Sequence, residues 1–364
     1  MSRSIAAAAL ACGLALSASA ASAGILVPVP AFPGATATYA TGINNSNVIA
    51  GSYIDANAVS HGFYGTADGN YTSFDFPGGN TFADSINDAG DITGFAEVPN
   101  DDCPVLGCEY ILKADRTEVA ITKGGNPLDG QAEQIVKGKF TGDYFFTDDQ
   151  GVTHENGFLG SHAHWKSDIS LPFENVGHVR GRGLNKKGEL VGYYSDTGNG
   201  TIPAFLIKDG QTSSIAFDDP DTFETLFEGV NGTGKIVGGW TNDDGSEGQA
   251  FIYESSDDTF RVIDVPGETV PLARQVNDSG IITITGATSS YLYCTHKKLC
   301  PITAGAIEIK EKIVAAKHPG AKQWVLCRNG CEKDSANVRP ASAAQIREAI
   351  ARDPSLLKEL RDRR

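Results

Sequence analysis

Two histidines separated by one residue, His162-Ala163-His164, have the types and spacing that suggest metal chemistry. In a β-strand, residues i and i+2 point to the same face, so both imidazoles would lie side by side. Neutral imidazoles bind transition metals. The sequence offers no obvious third ligand nearby. His162 and His164 are therefore a metal-binding pair or, as we favour, two exposed polar residues of a hairpin.

Acidic turns suggest calcium chemistry. Calcium needs six to eight oxygen ligands, which clustered turns can supply. The candidates for such a site are Asp218, Asp219, Asp221, Asp243 and Asp244. Neither cluster has the twelve-residue spacing of an EF-hand, and aspartate also stabilises turns through local hydrogen bonds. The prediction is that no cofactor is required and that calcium is a candidate ligand of a weak site.

Motifs of the common hydrolases are missing from the sequence. It shows no Gly-x-Ser-x-Gly elbow, no His-Glu-x-x-His helix and no phosphate-binding loop, and its seven histidines are scattered. The sequence therefore assigns no catalytic residue.

The first 23 residues have the composition of a signal peptide. A short basic start is followed by an Ala/Leu-rich run that ends in Ala21-Ser22-Ala23, a typical small-residue cleavage site. The rest of the chain has no apolar run long enough to span a membrane. The sequence thus predicts a secreted protein, extracellular or periplasmic, without a transmembrane segment.

The six cysteines that follow the leader lie in close pairs. These are Cys103 with Cys108, Cys294 with Cys300, and Cys327 with Cys331. In an oxidising compartment this spacing favours three local disulfides. Zinc is the alternative, but it usually requires the tighter C-x2-C spacing with a nearby histidine.

Charge is distributed unevenly. Residues 1–301 carry a net charge of −20 and residues 302–364 a net charge of +5. An acidic body repels nucleic acid, so nucleic-acid partners are excluded from the prediction.

A repeat organises the elements that must position these residues. A hydrophobic residue and an asparagine open a turn at Asn44, Asn87, Asn185, Asn231 and Asn277, at intervals of 43, 98, 46 and 46 residues. The interval of 98 is two periods, and a degenerate copy begins at Gln134. Each copy contains four short segments of alternating apolar and polar residues, typical of strands. The Gly of each Asn-x-x-Gly turn would supply the positive φ that the hairpin needs.

Six units of about four strands predict an all-β, six-bladed β-propeller over residues 24–301, with four-stranded blades. The last unit lacks its own closing strand. An N-terminal strand near Val29 is expected to complete it, and "GAIEI" from Gly305 is the rival. Residues 302–364 lie outside the repeat and are predicted to be a small, basic, disulfide-clipped and mostly helical extension. Its first helix is expected in "IEIKEKIVAAKHPG", from Ile307.

The repeated turn, followed by a strand with an x-Ala/Gly-Phe core, resembles the bacterial extracellular HAF-repeat family. His61-Gly62-Phe63, Pro203-Ala204-Phe205 and Gln249-Ala250-Phe251 approximate the His-Ala-Phe tripeptide of that family, and none matches it in full. The resemblance covers about residues 26–295. It implies secretion and a repeated β-architecture, and it implies no activity.

Taken together, these features favour a monomeric, secreted recognition module for an extracellular protein or polysaccharide. The alternative is a calcium-assisted hydrolase of a phosphoester or glycan that uses the loop face of the propeller. An enzyme should show several unrepeated carboxylates or histidines converging at one place.

Overall fold

The computed structural model describes residues 23–76, 79–97, 103 and 106–319. Within these ranges, residues 23–317 belong to one compact unit. The predicted leader lies almost wholly before residue 23. The predicted Cys327–Cys331 disulfide and the terminal helices lie after residue 319, so these predictions fall outside the described residues. No helix in the described part of the chain has the length and apolar character needed to cross a membrane.

Strands are almost the only regular secondary structure among the described residues, so the predicted all-β class is confirmed. The one helical element among them is the 3-10 turn Lys297–Leu299. The chain starts with β1 (Ala23–Pro28). The first repeat then forms a separate four-stranded antiparallel sheet of β2 (Ala37–Ile43), β3 (Val48–Ile54), β4 (Ser60–Thr66) and β5 (Tyr71–Phe74). The second forms another, of β6 (Thr81–Ile86), β7 (Ile92–Ala96), β8 (Cys108–Leu112) and β9 (Glu118–Ala120).

The third repeat belongs to a six-stranded sheet. A short hairpin of β10 (Thr122–Lys123) and β11 (Asn126–Pro127) precedes β12 (Gly130–Val136), β13 (Lys139–Thr147), β14 (Thr153–Ser161) and β15 (His164–Asp168). The strand order is β11-β10-β15-β14-β13-β12, and β10 lies parallel to β15. The hairpin thus extends the outer edge of this repeat.

The last three repeats share one 13-stranded sheet. The fourth repeat contributes β16 (Val176–Leu184), β17 (Leu190–Asp196), β18 (Ala204–Lys208) and β19 (Gln211–Phe217). The fifth contributes β20 (Glu224–Val230), β21 (Ile236–Thr241), β22 (Gly248–Glu254) and β23 (Thr259–Ile263). The sixth contributes β24 (Leu272–Val276), β25 (Ile281–Thr285) and β26 (Ser290–Cys294), and β27 (Ile307–Lys317) follows. Four sheets result, not the six separate ones expected, because β27 pairs with β1, β23 and β19 and so joins three repeats.

The prediction of a helix from Ile307 is wrong, because residues Ile307–Lys317 form β27. The outer strands of three repeats offer unpaired backbone N–H and C=O groups, and pairing them outweighs local helix propensity. Side-chain contacts fix the register of β27. Glu311 is buried in it and accepts a hydrogen bond from Nε of Arg261 at 2.9 Å.

The N-terminal strand completes the sixth repeat as expected. β1 pairs with β26, with Ile25 opposite Cys294, and the N–H of Val29 extends the pairing to the carbonyl of Ser290 at 2.8 Å. The rival strand after Gly305 also exists. It is β27, which pairs with the other edge of β1.

The apolar core lies between successive repeats. Phe217 of the fourth repeat packs in one cluster with Phe227 and Phe251 of the fifth. Another cluster combines residues of the first repeat, such as Phe63, with Leu292 of the sixth. Each repeat therefore buries its faces against the repeats on both sides, and the last meets the first.

Two of the three predicted disulfides are present. Cys103 is bonded to Cys108 and Cys294 to Cys300. Both bridges are local, as the spacing predicted.

Candidate functional site

A belt of asparagines links neighbouring repeats where the first strand of each repeat ends. Each linking Nδ2 donates to the backbone carbonyl of the next asparagine: Asn185 to Asn231 at 2.8 Å, Asn231 to Asn277 at 2.8 Å, Asn277 to Asn44 at 3.2 Å and Asn44 to Asn87 at 3.1 Å. Each Oδ1 also accepts from the backbone of its own turn, as Asn231 does from Thr233 and Lys235. The recurring asparagine is therefore framework.

The third repeat interrupts this belt. Its turn has only two residues, Lys137 and Gly138, both with positive φ, at 49° and 73°. It contributes no asparagine, and Asn87 instead donates to Oδ2 of Asp91 at 3.1 Å. The other turns follow the expected chemistry. Their last residue has φ between 79° and 92° where it is glycine, and 60° where Asn47 replaces it.

In five repeats a glycine of the second strand pairs with the residue just before a β-bulge in the first strand, and Ile284 takes this place in the sixth. A Cβ on Gly51 would lie 1.9 Å from the carbonyl oxygen of Tyr39, and one on Gly94 2.0 Å from that of Phe82. The pairing register shifts at the equivalent place in all six repeats. A bulge re-aims the side chain of its extra residue.

Most of the side chains at the bulges lie around one small space. In five repeats they lie three residues before the repeated asparagine, and in the third repeat two residues occupy the bulge; the set is Thr41, Asp84, Glu133, Gln134, Arg182, Glu228 and Arg274. We call the charged members, Asp84, Glu133, Arg182, Glu228 and Arg274, the bulge cluster. They surround a space of about 10 Å³, which is about what one water molecule needs.

Ion pairs link four of the five members of the bulge cluster. Arg182, whose side chain is 5% exposed, contacts Glu133 through Nη1 and Oε2 of Glu228 through Nη2 at 3.1 Å. Asp143 lies 3.7 Å from the same guanidinium. Nη1 of Arg274 lies 2.8 Å from Oε2 of Glu228. Charges buried in this way persist only when they are paired.

The carboxyl groups of the cluster differ in acidity. Burial raises the pKa of Asp84 to about 6, although the charges of Arg274 and Arg182 oppose the shift. Burial also raises the pKa of Glu133 well above its usual value. Burial acts on Glu228 in the same direction, but attraction by Arg182 and Arg274 outweighs it and lowers the pKa. Carboxyl groups with raised and lowered pKa values thus lie side by side.

A cavity of about 570 Å³ opens where the asparagine turns converge, and we call it the Asn-turn cavity. Its mouth carries polar side chains that are tied together. Nζ of Lys186 donates to Oδ2 of Asp278 at 3.0 Å, and Asn45 bonds to both Asp88 and Asp278. Its floor contains Gln275, whose Oε1 accepts from the N–H of Ile43 at 3.0 Å. The volume lies within the range of small-molecule sites.

A second cavity of about 300 Å³ lies at the other end of the same strands. Asp84, Arg274 and Gln131 line it beside the aromatic rings of Phe82 and Phe95, which stack with centroids 4.6 Å apart. Nε2 of Gln131 donates to Oδ1 of Asp84 at 3.1 Å, whereas the buried Oδ2 accepts no hydrogen bond from the described residues. The bulge cluster therefore lies between two cavities.

The histidine pair does not lie on one face of a strand. Both side chains are exposed in a hairpin, which is the interpretation favoured from the sequence. His162 and Ala163 have φ of 53° and 62° and form the two-residue turn between β14 and β15. Nδ1 of His162 contacts Oγ of Ser161 at 2.7 Å, and Nδ1 of His164 contacts Oγ1 of Thr122 at 3.0 Å. The two side chains do not alternate as in a strand, because His162 and Ala163 have the positive φ of a tight turn.

The acidic candidates form an ion pair or local hydrogen bonds in turns and loops. Asp218 forms an ion pair with Lys317 at 2.6 Å. Oδ1 of Asp219 accepts from the N–H of Asp221 at 3.0 Å. Asp243 and Asp244 lie in an exposed turn, where Asp244 accepts from the N–H of Ser246 at 3.0 Å. Within the described ranges, no group of three or more His, Cys, Asp or Glu residues is arranged to hold a metal ion. Calcium binding stays a prediction.

The bulge cluster was missed by sequence reasoning, although a signal for it exists. The position three residues before the repeated asparagine holds Thr, Asp, Arg, Glu and Arg in turn, at Thr41, Asp84, Arg182, Glu228 and Arg274. Charged residues within strands of mostly apolar and small residues indicate a special environment.

Comparison with known proteins assigns no family. No family model matches the sequence, and the search of curated proteins finds no match. Among solved structures, a gluconolactonase from Xanthomonas campestris is similar at 14% identity and a TM-score of 0.44, over 74% of this chain and 89% of that one. A streptogramin B lyase is similar at 11% identity and a TM-score of 0.47, over 74% of this chain and 97% of that one. The WD40 β-propeller domain of Doa1 is similar at 11% identity and a TM-score of 0.40, over 75% of this chain and 98% of that one.

Proposed function

We propose that residues 23–317 form a six-bladed β-propeller that serves as a secreted recognition module for an extracellular protein or polysaccharide. Support for the ring comes from the strand pairings. Each repeat contains four successively paired strands, with β1 as the fourth strand of the sixth repeat. Each repeat also packs against its neighbours, and Asn277 of the last repeat is bonded to Asn44 of the first. β27 and the β10–β11 hairpin are additions at the outer edges of this plan.

The two local disulfides favour secretion, because such bonds persist in oxidising compartments. The resemblance of the repeat to the HAF-repeat family points the same way. We place the protein outside the cytoplasm, as a monomer with no required cofactor.

The observation that carries the recognition function is the Asn-turn cavity. Its inner wall is fixed by the asparagine belt, and its mouth presents amide, carboxylate and ammonium groups at Asn45, Asp88, Asp278 and Lys186. A preformed, polar-rimmed cavity of about 570 Å³ suits the binding of a chain end or a loop.

The test is capture of partners from the native extracellular medium on immobilised protein, together with a glycan array. Lys186→Ala combined with Asp278→Ala should reduce capture at least about tenfold, because it removes a charged hydrogen-bonding pair from the mouth. Lys187→Ala is the matched control, since Lys187 is the next residue in the same turn and does not line the cavity. If neither wild-type protein nor the protein lacking residues 318–364 captures a partner, the recognition hypothesis fails.

The second candidate function is a calcium-assisted hydrolase of a phosphoester or glycan. The bulge cluster favours it, because unrepeated carboxyl groups converge there and Asp84 has its pKa raised to about 6, near the range suited to proton transfer. Asp84 also lines the second cavity, which a substrate could enter. Hydrolysis of aryl phosphodiesters or aryl glycosides that is lost in Asp84→Asn would support this function. Complete inactivity of the wild-type protein, with and without calcium, would dismiss it.

A further inference from the structure

The third repeat carries a cavity that its extra hairpin helps to form. The cavity measures about 430 Å³ and lies between the β10–β11 hairpin and strand β13. We call it the hairpin cavity; its lining includes Lys123, Asn126, Tyr144, Phe146, Asn156 and Asp168. No other repeat has such a hairpin among the described residues. An addition to one repeat that also walls a cavity is a candidate for a dedicated function.

The polar groups of the hairpin cavity are fixed by one another. Oδ1 of Asp168 accepts hydrogen bonds from the hydroxyl of Tyr144 and from Nε1 of Trp165, both at 3.0 Å. Nζ of Lys123 donates to the hydroxyl of Tyr144 and lies 4.3 Å from the ring centroids of both Tyr144 and Trp165. The carboxylate and the ammonium group are thus held in place before any ligand arrives, which lowers the entropic cost of binding.

An exposed aromatic ring lies beside these groups. Phe146 is 39% exposed, although it is a large apolar side chain. His154 packs against it with a centroid distance of 5.1 Å, and Tyr144 lies at 5.8 Å. The ring offers a supported apolar surface to a molecule in the cavity.

The charges of the cavity indicate what kind of molecule fits. One ammonium group, of Lys123, stands with two carboxyl groups, of Asp129 and Asp168. This balance does not favour an anion. Asp168 is exposed, as is Asn126, and Asn156 is half-buried. Carboxylate and amide groups pair with hydroxyl groups, and a flat ring packs well against the C–H face of a sugar.

We propose that the hairpin cavity binds a neutral pyranose residue of an extracellular glycan, with Phe146 packed on one face of the sugar ring and Asp168 accepting from its hydroxyl groups. This site is separate from the Asn-turn cavity, and the proposal rests on the secretion proposed above, because its ligand is an extracellular glycan. A protein that recognises a protein partner through the Asn-turn cavity could still anchor itself to a glycan through the third repeat.

The experiment follows tryptophan fluorescence of the full-length protein during titration with defined oligosaccharides. The neutral probes are cellotetraose, xylotetraose, maltotetraose and chitotetraose, and trigalacturonate is the anionic probe. Of the three tryptophans, Trp165 contacts the network, Trp240 is buried and only 8% exposed, and Trp324 lies outside the described residues. At least one neutral probe should change the emission saturably, and Trp165→Phe should remove most of the signal while calorimetry still detects binding.

The variants test the two roles separately. Phe146→Ala and Asp168→Asn should each weaken binding of that probe at least about tenfold, because one removes the apolar face and the other the charged acceptor. Both residues are exposed, so a melting curve should confirm an intact fold. Val152→Ala is the control, since Val152 is 50% exposed at the end of the same β13–β14 hairpin and does not line the cavity.

Several results would overturn the proposal. They are no binding of any neutral probe, tighter binding of trigalacturonate than of every neutral probe, or binding that Phe146→Ala leaves unchanged. The Lys186→Ala/Asp278→Ala variant should bind the glycan normally. Its failure in partner capture would therefore be distinguishable from a failure of the hairpin cavity.

Discussion

The asparagine belt and the bulge cluster lie three residues apart on the same strands, and they use the repeat in opposite ways. In the belt both backbone and side chain recur, and the side chain bonds to the next repeat, as Asn231 does to Asn277. In the bulge cluster only the backbone recurs. The bulge appears in every repeat, but its side chain is acidic in Asp84, basic in Arg182 and neutral in Thr41.

This difference separates framework from chemistry. A side chain that recurs with its position serves a contact that every repeat needs. A position whose geometry recurs while its side chain varies can bring different groups together at one place, which a repeated residue cannot do. The bulge cluster therefore meets the criterion of unrepeated convergence. In the Asn-turn cavity the repeated asparagines form a uniform wall, and the residue that follows each of them varies at the mouth.

The largest expected effect comes from Arg182→Met. Removing the guanidinium leaves the buried Glu133 without its ion-pair partner and leaves Glu228 with Arg274 alone. The loss of unfolding free energy should be about 3–5 kcal/mol, as for other buried pairs from which one member is removed. Urea unfolding followed by circular dichroism measures it.

Two variants set the scale for this comparison. Asn231→Ala removes one belt bond and its turn bonds and should cost about 1–3 kcal/mol. Lys186→Met removes an exposed pair with Asp278 and should cost less than about 1 kcal/mol. If Arg182→Met cost no more than Lys186→Met, the bulge cluster would not be an interdependent buried network.

How far the sequence predicts this molecule depends on whether a residue acts locally. The Asn-x-x-Gly turn was predicted because its hydrogen bonds and its positive φ at Gly234 lie within four residues. The disulfide between Cys294 and Cys300 was predicted for the same reason. Ile307–Lys317 was misassigned as a helix because its partners, β1, β23 and β19, are remote in sequence.

The bulge cluster could not be assembled from the sequence for a related reason. Glu133 and Glu228 both contact Arg182, although they are almost a hundred residues apart. The sequence indicates that an asparagine recurs, as at Asn44 and Asn277. It does not indicate that a bulge directs the side chain three residues earlier into a space shared by several repeats. The hairpin cavity was missed because Lys123 and Asp168 belong to different hairpins that only the sheet brings together.

The next prediction uses pH to distinguish two carboxyl groups of the cluster. The pKa of Asp84 is raised to about 6 in the folded protein, above the unfolded value of about 3.9. The folded state therefore holds the proton more tightly, and its stabilising effect is complete below the unfolded pKa and is lost as the pH rises through about 6. The unfolding free energy of wild type minus that of Asp84→Asn should fall between about pH 4 and 7.

Glu228→Gln should give the opposite slope. Arg182 and Arg274 lower the pKa of Glu228 despite its burial, so the ionised form stabilises the fold above the unfolded pKa of about 4.3. Its contribution is lost as the pH falls through the lower folded pKa, and the difference from wild type should grow as the pH rises through this range. Equal slopes for the two variants would mean that the cluster does not hold unlike carboxyl groups.

The smallest effect is expected from the addition of calcium. This experiment asks whether the acidic turns, rather than the bulge cluster, form a metal-binding site. Asp218 is already paired with Lys317, and the carboxylates of Asp219 and Asp244 accept backbone N–H groups within their own turns. A site that must give up these bonds should bind weakly, and calcium near its dissociation constant stabilises by less than about 1 kcal/mol. We therefore expect 5 mM calcium, on the order of a weak extracellular site, to raise the melting temperature over EDTA by less than about 3 °C. Magnesium is the control for ionic strength. A rise of more than about 5 °C that is abolished by Asp243→Asn with Asp244→Asn would show instead that a turn, not the repeat interior, is the metal-dependent part of this protein.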